Sequence, residues 1–258
     1  MINVLRKLGG FLVIAGLLVL LSFVRSAQET TLVQNVNIKI NDFKGDPFMD
    51  KRDIENLVYT RLDTLKGKLI GDLHLSEIEN LLESDPSVRN AEVYTTSKGN
   101  VHLNVDLKRV IVRLKPDTTN GFYIDEKGEV MDWVAKYTPR VLTVTGNLYN
   151  YNRFLKDSLA DENLQTHTKL IRDVFALAQF VDKNTYWKAQ IGQIYIEENG
   201  DAILIPLAGN QEFILGDLSD YEAKLEKIKI FHNEIAKKVG WDKYKVVNLK
   251  FSDQIVCK

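Results

Sequence analysis

The sequence predicts an α+β protein: a single apolar N-terminal transmembrane helix, a compact β-α-α-β-β domain, and a larger mixed β domain with flanking helices. Three observations carry this. Residues 8–24, LGGFLVIAGLLVLLSFV, hold no charged side chain between Lys7 and Arg25. Residues 33–116 set two helical stripes between one strand and a hairpin, and residues 117–258 interleave short strands with amphipathic stretches. A chain of 258 residues that is 45% apolar can bury the cores of two modest domains.

Rising about 1.5 Å per residue as a helix, segment 8–24 comes close to spanning a hydrocarbon core roughly 30 Å thick. Arg6 and Lys7 precede it and Arg25 follows, which mildly favours an inner amino terminus. Length decides the rest: residues 1–7 read as a short cytoplasmic tail, 25–32 as a tether, and everything beyond as exported. A cleaved signal peptide is the rival reading. Its apolar region runs about 7 to 15 residues and ends in small residues, whereas here the run is longer and Arg25 interrupts the small pair Ser26-Ala27. The expected location is the cytoplasmic (inner) membrane, crossed once, with the carboxy-terminal domains in the periplasm or outside.

In residues 33–116, LVQNVNIKI puts Val36, Ile38 and Ile40 on one side of a strand. DKRDIENLVYTRL starts from Asp50 as N-cap and repeats Ile54, Leu57, Val58 and Leu62 at helical spacing. LSEIENLLES repeats the logic, with Ser76 and Glu79 as an expected capping box. The hairpin follows, its second half alternating Val101, Leu103, Val105 and Leu107 with His102, Asn104, Asp106 and Lys108, and Gly99 placed for a turn. Two helical stripes need a sheet face to cover.

Residues 117–258 open with GFYIDEKGEVM, a hairpin turning at Gly128, and RVLTVTG, a third strand. HTKLIRDVFALAQFV carries a stripe of Leu170, Val174, Leu177, Ala178 and Val181. Three strands follow across Asn199-Gly200 and Gly209-Asn210. A last helix is expected from a Ser219 and Glu222 capping box, turning Leu225, Ile228 and Ile235 inward and stopping at Gly240.

Signatures of chemistry are sparse. Lys plus Arg total 34 against 35 Asp plus Glu, leaving no excess positive charge for a polyphosphate backbone and arguing against nucleic acid as a partner. His74, His102, His167 and His232 sit in separate elements without metal-ligand spacing. No nucleophile-elbow or phosphate-cradle motif occurs, and nothing calls for a cofactor. Asp125 and Glu126 suit turn chemistry better than acid-base catalysis, and Cys257, the sole cysteine, reads as a small edge residue rather than a nucleophile.

The phrases DPSVRNAEVY leading into GNVHLNVDLKRVIVRL, then GFYIDEKGEVM, TPRVLTVTG, WKAQIGQIYI, ILIPLAGNQEFILGD and GWDKYKVVNLKFSDQIVC, in that order behind an apolar leader, resemble the bacterial cell-division proteins FtsQ and DivIB over nearly the whole chain. The resemblance implies a POTRA domain for 33–116 and a β domain for 117–258. It also implies a non-enzymatic scaffold at the division site that helps recruit or regulate septal peptidoglycan synthesis. FtsB and FtsL would be its partners, bound near the C-terminal strands, and through them the septal wall synthase. Ser87 after Pro86, and Val110-Ile111 after Arg109, depart from the family's pattern. The rival from another class is a membrane-anchored cell-wall hydrolase or transferase, which predicts a pocket of convergent polar groups.

KVVNLKFSDQIVCK, residues 245–258, sets Leu249, Phe251 and Ile255 against Asn248, Lys250, Ser252 and Gln254 and reads as one final strand. At a sheet edge such a strand offers a row of open N–H and C=O groups. Lys250 and Asp253 restrain indiscriminate pairing and no proline blocks strand addition, so a chosen partner strand is expected over residues 244–254. Trp241 reads first as a core plug, with a docking role beside Tyr244 as the alternative. The candidate partner-binding residues are therefore Trp241, Tyr244, Val246, Asn248, Lys250, Ser252 and Gln254.

Overall fold

A computed structural model describes residue 16 and residues 30–41, 47–116, 121–134, 137–148 and 169–258. The expected tail 1–7, the span 8–24 (Gly16 apart) and the tether up to residue 29 lie outside these. Among the described residues no helix is long and apolar enough to cross a membrane.

The chain divides into two units, meeting between Lys108 and Arg109. In the first, strands β1 (Asn35–Ile40), β2 (Val88–Thr95) and β3 (Asn100–Leu107) form a sheet in the order β1-β3-β2, with β1 parallel and β2 antiparallel to β3. Val101, Leu103, Val105 and Leu107 are buried on one face, as the alternation predicts. Helices α1 (Lys51–Leu62) and α2 (Leu75–Glu83) bury Ile54, Val58, Ile78 and Leu82 in the same core. Each such side chain contributes about 1.5–3 kcal/mol relative to exposure. α1 starts where expected: Asp50 accepts from the Arg52 and Asp53 amides at 2.8 and 3.0 Å, and Asp53 accepts from the Asp50 amide at 2.9 Å.

The box expected at Ser76 and Glu79 does not form, because α2 begins at Leu75 and places Ser76 inside the first turn. Glu79 instead accepts a hydrogen bond from the Val93 amide at 2.8 Å, and Glu83 from the Ala91 amide at 3.0 Å. Those amides belong to β2, an outer strand of its sheet, so two carboxylates of α2 occupy donors that would otherwise invite another strand.

The second unit holds a sheet in the order β12-β11-β10-β9-β8-β7-β4-β5-β6. Its strands are β4 (Val110–Pro116), β5 (Phe122–Asp125), β6 (Val130–Asp132), β7 (Leu142–Gly146), β8 (Ile191–Ile196), β9 (Ala202–Pro206), β10 (Glu212–Gly216), β11 (Val246–Asn248) and β12 (Val256–Cys257). β4 corrects the boundary expected at 116. It lies between β5 and β7, so its residues Val112 and Leu114 fill the second core rather than the first. β4, β7 and β8 run parallel, and β5, β6, β9 and β10 pair antiparallel around them. In the β5–β6 turn the buried Asp125 carboxylate accepts from the Lys127 and Glu129 amides at 2.9 and 2.8 Å, the turn role read from sequence.

Helix α3 (Lys169–Lys183) buries Ile171, Val174, Leu177, Ala178 and Val181, and α4 (Thr185–Gln190) leads directly into β8. Helix α5 (Tyr221–Ile230) continues through a π-helical turn, Phe231–Ala236, to Lys237–Val239. The Ser219 and Glu222 box is absent here too: Asp220 takes the N-cap position at φ 50° and no side chain caps the first turn. The wider π turn also shifts the inward stripe. Phe231 and Ala236, five apart, are buried, while the expected Ile235 is only half-buried.

Candidate functional site

The end of the second sheet is built by residues 211–216 and 240–258. Gly240, at φ 99°, stops the helix in a conformation that glycine adopts without penalty. Trp241 follows and is 50% exposed, so it is not the core plug expected of it. Its ring rests on His232 at 5.2 Å, His232 meets Phe213 at 5.7 Å, and the Trp241 carbonyl accepts from the buried Gln211 amide. Burial holds the His232 imidazole below its ordinary range. Tyr244 packs its ring partly onto the core.

β11 is three residues long and has backbone partners on both sides. It runs parallel to β10, pairing Val246 with Glu212 and Asn248 with Ile214, and antiparallel to β12, pairing Val247 with Cys257 and Asn248 with Val256. The expectation that residues 244–254 form one open edge strand is therefore overturned. The chain turns after Leu249, which is fully buried, and returns as β12. Asn248 makes the turn by accepting from the Lys250 amide at 3.0 Å, an Asx-type contact. The alternation read across 249–255 fails with it: Phe251 is 47% exposed beside Lys250, Ser252 and Gln254 rather than opposite them.

The seven candidates therefore separate. Val246 and Asn248 lie in a covered strand, while Lys250, Ser252 and Gln254 stand on the exposed turn. Lys250 is pinned by an ion pair to Asp201 at 2.6 Å, and that hydrogen bond holds its ammonium above the ordinary lysine range. The Phe251 carbonyl accepts from the Lys227 ammonium, which ties the turn to α5. The Ser252 hydroxyl reaches only the neighbouring Asp253, at 3.3 Å.

At this end of the sheet the outer strand is β12, as β6 is at the other. Val246 and Lys258 exchange both backbone hydrogen bonds, at 3.2 and 2.9 Å. In an antiparallel pair such residues alternate with ones whose N–H and C=O point away. Cys257, opposite Val247, accordingly directs its main-chain groups outward, and the same alternation carried one residue past β12 gives Ile255 that direction. No described strand lies beyond them. Sequence reasoning missed Ile255 and Cys257, although Asn248, Ser252 and Asp253 form the polar cluster that marks a turn.

Burial pushes the Cys257 thiol up, away from the thiolate a nucleophile needs. Among the described residues no three His, Cys, Asp or Glu side chains converge as metal ligands.

Comparison with protein families gives two matches. A model described as FtsQ/DivIB, C-terminal related, matches residues 109–258, and a POTRA-like domain model matches residues 31–106. The two meet where the structure divides. No curated protein matches the chain.

Proposed function

Because this chain belongs to the FtsQ/DivIB C-terminal related family, we propose that it is a non-enzymatic division scaffold, anchored through residues 8–24, that binds partners by strand addition at β12. The apolar leader holds both units beside the membrane and raises the effective concentration of partners anchored there. An FtsB-type or FtsL-type segment adds as a further strand, and through it the scaffold recruits or restrains septal wall synthesis. Main-chain bonds supply affinity, and side chains of the 249–255 turn supply selectivity.

The observation that carries this reading is the contrast between two outer strands. β2 has its outward amides at Ala91 and Val93 occupied by glutamates. β12 directs the main-chain groups of Cys257 away from β11, as continued alternation does for Ile255, with no such cover among the described residues. Phe251 and Trp241, both about half exposed, flank that end of the sheet as aromatic anchors.

Cys257→Pro tests it. Proline removes the outward N–H at 257 and leaves the Val246–Lys258 exchange intact. The expected outcome is loss of co-purification with the anchored FtsB/FtsL-type partners, while Cys257→Ser, which keeps the N–H, retains it. Retained binding by a folded Cys257→Pro protein contradicts strand addition.

A further inference from the structure

A cavity of about 560 Å³ opens at the starts of β4, β7 and β8, within the second unit, and falls in the size range of ligand sites. Ile111, Leu142, Val181 and Ile191 give it apolar walls, and Leu207 stands at its mouth, 64% exposed. Two β-bulges frame it. The β4–β5 register steps from Val110 opposite Asp125 to Val112 opposite Ile124, and the β8–β9 register from Ile191 opposite Pro206 to Gln193 opposite Ile205. The extra residues, Ile111 and Gly192, both line the cavity. Bulges re-aim a strand beside a site, and the glycine leaves room for the Leu207 side chain at the mouth. A Cβ at Gly192 would already sit 3.1 Å from Leu207 Cδ2.

The charges around the cavity are closed except for one. Asp182 accepts from Lys188 at 3.0 Å and from Arg109 at 2.9 Å, and Arg109 also holds Glu126 at 2.7 Å. Burial works to raise the Asp182 carboxyl, and its hydrogen bonds to Lys188 and Arg109 overcome that and hold it below the carboxylate range. Arg140, on the lining and exposed, makes no ion pair or hydrogen bond with any described residue.

We propose that this cavity is a second docking site, which takes an extended acidic peptide segment of a partner: one apolar side chain enters between Ile111, Ile191 and Leu207, and the adjoining carboxylate meets Arg140. The polar side chains on the lining, Thr143, Asp182 and Lys188, favour a polypeptide, which brings amides to meet them, over an acyl chain, which brings none. β9 stands three strands from β12, roughly 14 Å at the usual strand spacing. An occupant of the cavity therefore does not overlap a strand paired at the rim.

Methyl NMR of the full chain tests this with three probes: the capped pentapeptide Gly-Leu-Glu-Glu-Gly, its counterpart with lysines for glutamates, and decanoate. The acidic peptide is expected to give saturable shifts at Ile111, Ile191 and Leu207, with binding at least about tenfold tighter than the lysine peptide. Arg140→Glu and Gly192→Leu should each weaken it at least about tenfold and Arg140→Lys should preserve it, with the buried Val144 methyls reporting an intact fold in every variant. Absence of shifts, equal response to both peptides, an unchanged affinity in folded Arg140→Glu, or saturation by decanoate where the acidic peptide fails would each overturn the proposal.

Discussion

His232 shows how a single residue can report on the rim. Phe213, Phe231 and Trp241 surround its ring, and burial holds its imidazole below the ordinary 6.5. The unfolded chain therefore binds a proton there that the folded chain refuses. This contribution to stability is complete above about 6.5 and is lost as pH falls through the window down to the depressed folded value. Asp182, whose carboxyl is held low, loses its contribution only at more acidic pH. Thermal melts between pH 7.5 and 5 should show melting temperature declining with acidity, and His232→Gln should flatten that slope. An equal slope in both proteins would assign the effect elsewhere. Nothing in the sequence marked this packing, because Phe213 comes from β10 and Trp241 from the far side of the helix stop.

At the scale of elements, the alternation of β3 and the stripes of α1 and α3 were legible because one physical rule, period against burial, governs each of them. The departures arise where a second rule competes. Ser76 and Ser219 carry the spacing of a capping box, yet neither helix begins on them, since tertiary contacts fix the start and Glu79 is drawn to β2 instead. The segment 246–257 has the alternation of one strand, yet buried Leu249 and the Asn248 turn fold it into a hairpin. The cover on β2 gives an expectation. Glu79→Ala should leave the Val93 amide without its charged acceptor and cost about 1.5–3 kcal/mol, by the usual worth of a hydrogen bond to a charged group. Denaturant melts of the protein read that cost. Faster hydrogen exchange at Val93 should accompany it, and unchanged exchange would mean the carboxylate does not guard that edge.

For the molecule as a whole, the sequence located two domains but put their boundary eight residues late, at 116 instead of 108. β4 continues the hydrophobic run of β3 with only Lys108 and Arg109 between, so local pattern holds no sign that the next strand joins another sheet. Only its long-range partners, Leu142 in β7 and Ile124 in β5, decide the matter. A fragment 109–258 should therefore fold cooperatively, whereas 117–258, deprived of the strand between β7 and β5, should not. Circular dichroism and a thermal melt of the two fragments distinguish them, and a folded 117–258 would return the boundary to 116.

The same scale holds the central claim, that β12, at one end of the second sheet, receives a partner's backbone. Residue-resolved hydrogen exchange of the full chain, free and with an FtsB-type partner bound, addresses it most directly. The amides of Val246 and Lys258 are engaged within the hairpin and should be protected in both states. Those of Ile255 and Cys257 should exchange freely alone and become protected on binding. A bound partner that leaves Ile255 and Cys257 exchanging at the free rate would contradict the account.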